Sequence, residues 1–174
     1  MKVKLSRLMN EPLVWALSSA RSQTLALVAD LSPEAMFRQS VSGEHHPSWT
    51  LGHLLLADTY LLSLLKARPL ADDFSMLLVR YGPDASPTAS LTDYDEKQVL
   101  TNRLVDTGIA RVTAIRAMSE RDLAAPTPDP VLARGQPTIG HHIYSLVFHE
   151  GYHSGKLSMW RKTHGFSAVP WMFS

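Results

Sequence analysis

SWTLGHLLLADTYLLSLLK, residues 48–66, decides the fold. Leu51, Leu54, Leu55, Leu56, Leu61, Leu62, Leu64 and Leu65 are too many for one apolar stripe, so the helix they predict is buried on several sides. Such a helix needs partners, and the flanking sequence supplies them. Upstream, Leu13, Leu17, Ala20, Thr24, Leu27 and Leu31 recur at three- and four-residue intervals. They predict a first long helix that Asn10 caps and Pro12 opens. Ser32-Pro33-Glu34 then opens a short helical turn through Phe37, before a loop at Gly43. Downstream, residues 67–93 carry three prolines and read as a long connection with one helical turn near Phe74–Val79. Thr92 to Asp95 resembles a capping box, and Val105, Gly108, Ile109, Val112 and Ile115 mark the inner face of a third helix ending near Ser119. Pro126, Pro128, Pro130 and Pro137 exclude regular helix, after which Thr138 caps a last helix running to about His164 and stopping at Gly165. Four helices, no strand and connections long enough to cross over predict an all-α four-helix bundle, one domain over residues 1–174.

Composition narrows the function. With 45% hydrophobic and 19% charged residues, the 174-residue chain can bury a sizeable core. Seventeen basic against sixteen acidic residues give a net charge of +1, without the basic excess that nucleic-acid binding needs. The absence of cysteine excludes a disulfide framework, a protein thiolate nucleophile and any Cys-ligated metal site, so a metal must be held by His, Asp or Glu. No apolar run is long enough to predict a membrane span. The amino-terminal stretch is interrupted by Ser6, Arg7, Asn10, Glu11 and Pro12, which reads as mature cytoplasmic protein.

The eight histidines are clustered. His149 and His153 are four apart on the last helix, so both rings reach one side of it and can bind a single cation. His149-Glu150-Gly151-Tyr152-His153 matches the HExxH pattern of zinc proteases, in which the Glu is general base. That reading fails on the third ligand. No Asp or Glu follows Glu150, and the three-histidine version needs Gly where Lys156 stands and His where Met159 stands. A third ligand must come from upstream, and His53 is the candidate, because an unpaired imidazole inside the apolar second helix is costly. The alternative for His53 is a bond to a backbone carbonyl.

Trp49-Thr50-Leu51-Gly52-His53-Leu54, followed about 96 residues on by His149-Glu150-Gly151-Tyr152-His153-Ser154-Gly155-Lys156-Leu157, resembles the DinB/YfiT-like superfamily over most of the chain. The resemblance implies a four-helix bundle with one metal-binding His on the second helix and an HxxxH pair on the fourth. It carries the ligands onto His53, His149 and His153. Where the family has Gly-Gln-Leu after the pair, this chain has Gly155-Lys156-Leu157, so a contact made by the family glutamine does not transfer. The resemblance also implies chemistry: activation of water, or of a low-molecular-weight thiol as cosubstrate, by a divalent metal. Three imidazoles suit Zn, Ni, Fe and Cu alike, and donor chemistry makes Zn the default, with Ni next.

Helical spacing places Trp49 and Tyr60 on the His53 face as candidate walls of a substrate pocket. His142, seven residues before His149 and about 10 Å along the axis, is too far to bind the same ion but could hold substrate or move a proton. Glu150 and Asp58 are candidates for a base or for orienting an imidazole, with a salt bridge as the alternative for Glu150. Gly151 and Gly155 read as points of close helix approach. His45 and His46, in the loop before the second helix, carry less weight. Hydrolysis or thiol S-transfer on a small-molecule substrate is the leading expectation. A non-catalytic, metal-stabilised bundle that binds a small molecule or protein is the alternative. The leucine-rich second helix and the end of the sequence, Val169, Pro170, Trp171, Met172 and Phe173, predict a homodimer.

Overall fold

The computed structural model describes residues 2–41 and 43–170, with residues 2–9 described by their backbone alone; Trp171, Met172 and Phe173 lie outside the described residues. The described residues form six α-helices: α1 (Lys2–Val28), α2 (Pro47–Leu64), α3 (Phe74–Tyr81), α4 (Lys97–Ala117), α5 (Glu120–Ala124) and α6 (Ile139–Thr163). The four long helices surround the core, α1 packing on α4 and α6, and α2 packing on the same two. Of the two short ones, α3 falls on the helical turn expected near Phe74–Val79, and α5 lies in the connection after the expected end of the third helix near Ser119. Among the described residues there is no strand, only an isolated bridge between Pro126 and Thr138. Among the described residues, no helix is long and apolar enough to cross a membrane.

Several expected boundaries move, each for a physical reason. α1 begins at Lys2, so Asn10 and Pro12 sit inside it. Asn10 is a cap, but for a different helix: its Nδ2 donates to the carbonyls of Ile115 and Met118, both at 2.9 Å, satisfying orphan acceptors at the end of α4. α4 begins after Glu96 with no side-chain cap, and Asp95 instead accepts from the Tyr81 hydroxyl at 2.8 Å. A capping box does exist, at Ser119 and Asp122 of α5. The inner face of α4 is also rotated from the expected one. Leu100, Leu104, Thr107, Arg111 and Ile115 are buried, whereas Val105 and Ile109 are 45% and 64% exposed.

α2 is enclosed as its composition predicts, with Leu51, Leu54, Leu55, Leu56, Leu61 and Leu62 all buried. Its start is set by His46, whose Nδ1 accepts from the Trp49 N–H at 3.1 Å, and by Pro47 in the first turn. Gly52 sets how closely α3 approaches: a Cβ there would fall 2.2 Å from the Tyr81 ring. Gly52→Ala is therefore expected to destabilise the protein by about 1–3 kcal/mol through overpacking. Chemical unfolding checks this, and a loss below a few tenths would show that Tyr81 moves aside freely.

Two apolar clusters fill the bundle. One is built on Val14, Leu17, Leu61, Ile115, Ile143 and Leu146, the other on Leu27, Trp49, Leu55, Leu104, Leu157 and Trp160. Along the sequence of each long helix, a charged residue separates its contributions to the two clusters: Arg21 in α1, Asp58 in α2, Arg111 in α4 and Glu150 in α6. All four are buried.

Candidate metal centre

His53 from α2 and His149 and His153 from α6 converge through their Nε2 atoms. His149 Nε2 lies 3.0 Å from His53 Nε2 and 3.2 Å from His153 Nε2, and all three rings offer a nitrogen within 4.8 Å of the others. A tetrahedral zinc ion with Zn–N bonds of ~2.0–2.1 Å sets its ligand nitrogens about 3.3–3.4 Å apart, so the trio needs little movement to close on a cation.

Proton placement favours the same reading. His53 Nδ1–H donates to the Tyr81 carbonyl at 2.7 Å, which holds the proton on that nitrogen and leaves a lone pair on Nε2. The carbonyl bond read as the alternative for His53 is present through Nδ1, and Nε2 is left facing His149. A proton on His149 Nε2 can serve only one of its two neighbours, whereas a cation serves all three. Burial pushes His149 down to about 4, helped by His53, and pushes His153 down to about 3, helped by His149 and His53. Burial also lowers His53. The trio is neutral at pH 7, the form that binds metals.

His46, outside the trio, is likewise held down to about 4 by burial. In the unfolded chain these imidazoles return to about 6.5. Between pH 6.5 and 4 the unfolded state therefore binds protons that the fold excludes, and stability drops as pH falls through that window. Each such imidazole contributes up to about 1.4 kcal/mol per pH unit. Urea unfolding of chelator-treated protein is expected to show this slope, and a flat profile from pH 7 to 4.5 would contradict it.

The remaining candidates are distributed around the trio. Trp49 is buried and stacks on His53, with ring centroids 4.7 Å apart, as part of the core. Tyr60 and His142 line a cavity of about 490 Å³ that also reaches Gln136, Ser145, Phe148 and His149. The Tyr60 hydroxyl donates to Asp129 at 2.6 Å and, through burial and that carboxylate, is pushed up to about 12. His142 Nδ1 pairs with Gln136 Oε1, leaving its Nε2 buried without a hydrogen-bond partner.

Asp58 and Glu150 are committed to guanidinium groups. Glu150 accepts from Arg21 at 2.5 Å and Arg111 at 3.3 Å, while Asp58 meets Arg111 at 2.6 Å and Arg21 at 3.0 Å. Burial works to raise the Asp58 carboxyl, and the two arginines overcome it, holding its pKa below the usual range. Sequence reasoning missed both arginines. The available signal was position: Arg21 and Arg111 fall on the inward faces of their helices.

Gly151 and Gly155 do not mark close helix approach. A Cβ at either meets nothing within 4 Å, and both line a second cavity of about 600 Å³ with His45, Tyr152, Lys156 and Trp160. His141 serves the start of α6, where its N–H meets the Thr138 hydroxyl at 3.3 Å.

The family model described as the DinB superfamily matches residues 16–157, a span that takes in α2 and all three histidines of the trio. No curated protein matches the chain.

Proposed function

Because the chain belongs to the DinB superfamily, we propose that it is a metal-dependent enzyme that activates water or a low-molecular-weight thiol for hydrolysis or S-transfer on a small-molecule substrate. The convergence of three neutral imidazole nitrogens from two helices carries this reading. Three protein ligands leave a coordination position for water or substrate. A divalent cation there, Zn or Ni given the all-imidazole donor set, supplies the Lewis acidity that lowers the pKa of a water or thiol. A thiol arrives as cosubstrate, since the chain has no cysteine.

The protein's own groups orient and receive. Tyr81 fixes the His53 ring through its carbonyl. Arg21 and Arg111 hold the Glu150 carboxylate, and with it the turn of α6 that carries His149, so Glu150 is a positioning residue in this reading. The cavity beside His149 receives the substrate, with Tyr60 as a hydroxyl contact. His142, with its proton on Nδ1, offers Nε2 as a buried acceptor for a substrate proton.

One observation favours a second reading, a non-catalytic bundle that binds a small molecule. Both carboxylates near the trio are already paired with arginines. Zn- and Ni-loaded protein assayed for ester hydrolysis and for thiol addition to electrophiles separates the two. Metal-dependent turnover supports the enzyme; saturable binding without turnover supports the bundle. Tyr144, Phe148, Tyr152 and Met159, exposed along α6, support a homodimer, which sedimentation reads as a two-chain mass.

A further inference from the structure

We propose that Lys156 and His45 form a subsite at the rim of the metal centre that recognises an anionic group of the substrate, a carboxylate or a phosphate. The inference rests on the metal-dependent reading above and adds the substrate's charge.

Lys156 lies three residues after His153, on the exposed side of α6. Its Nζ donates to His45 Nδ1 at 3.3 Å and lies 5.2 Å over the Tyr152 ring. Among the described residues, it forms no ion pair. With Nδ1 accepting, the His45 proton sits on Nε2, so the pair offers a cation and a neutral N–H donor together. His45 is tied to the metal centre by stacking: its ring centroid is 3.8 Å from that of Trp49, which stacks on His53.

Charge around the centre is uncompensated. The three ligands are neutral, and Asp58 and Glu150 are balanced by Arg21 and Arg111. Glu44 lines the same cavity, but its Oε2 accepts from the Ser40 N–H at 2.5 Å and lies 3.8 Å from His164. Lys156 is thus the cation that lines this cavity, and Glu44, the carboxylate that lines it, is turned to the Ser40 N–H and not to Lys156.

Space is reserved as well. Gly151 and Gly155 each cost about 1 kcal/mol within a helix relative to alanine, and no neighbouring chain takes advantage of the missing Cβ. Both border the cavity that Lys156 and His45 line, so the glycines keep its wall low for a ligand.

Calorimetric titration of Zn-loaded protein with benzoate, phenylphosphonate and neutral benzamide tests the subsite, with metal content measured alongside. Wild type is expected to bind at least one anion about tenfold more tightly than benzamide. Lys156→Gln should erase that preference with benzamide affinity and metal content unchanged, and Lys156→Arg should keep it. The better of the two anions identifies the group recognised. A metal-loaded Lys156→Gln variant that keeps the full preference overturns the proposal, as does a wild type with none. If wild type takes up no metal, the metal-dependent reading falls, and the same titrations on metal-free protein still decide whether anion binding depends on Lys156.

Discussion

His53→Ala is expected to reduce bound metal from about one equivalent to near none, with the helices still folded. The substitution removes the proposed ligand on α2, leaving His149 and His153, two imidazoles on one helix. It also removes the bond from Nδ1 to the Tyr81 carbonyl, the contact that aims the ring. His149→Ala is expected to match it, because His149 Nε2 lies between the other two nitrogens. His141→Ala should keep its metal, since that residue serves the start of α6. Elemental mass spectrometry on untagged protein, after chelation and reloading with Zn, Ni, Mn and Fe, reads all of these. Metal binding should also raise wild-type stability by about 2.7 kcal/mol at a free-metal concentration of 100 Kd, an increment His53→Ala loses. Stoichiometric metal retained by His53→Ala would falsify the ligand assignment.

The trio was legible because its chemistry and its spacing agree. A histidine pair four residues apart on a helix has a defined direction, and an imidazole among leucines needs a partner, so His53, His149 and His153 could be grouped before any contact was known. The carboxyl end of α6 was equally legible, since Gly165 adopts φ +79, a conformation that favours glycine. The face of α4 was not. Hydrophobic periodicity is read from apolar residues, so Val105 and Ile109 were expected inside. The structure does the reverse because Arg111 has two carboxylates waiting for it, on α2 and α6, and neither pairing can be seen from α4 alone. The same pairing gives Glu150 its structural partners, although its HExxH context points to a base. Gly151 and Gly155 misled for a related reason: a glycine in a helix reports only that a side chain is missing, and sequence does not distinguish a close neighbour from open space.

Arg111→Met is expected to cost about 3–5 kcal/mol, the largest stability loss of any single substitution considered, because it leaves a buried layer with two carboxylates and one guanidinium. In a chain of this length that lowers Tm by on the order of 6–20 °C. The layer matters for more than its energy. One charged residue from each long helix meets at its level, so sliding any helix by a turn would strand a charge against leucines. Replacing all four by apolar groups could leave stability unchanged while losing this control of register. The distinction is measurable. Arg111→Met combined with Glu150→Met removes one cation and one anion, leaving Arg21 and Asp58 paired at 3.0 Å. The double variant should therefore be more stable than Arg111→Met alone, despite carrying one more change. Its metal affinity should still fall, because the turn bearing His149 has lost the anchor at Glu150. A double variant no more stable than the single one would mean that charge balance is not what holds the layer, and that Arg111 acts through packing of its side chain alone.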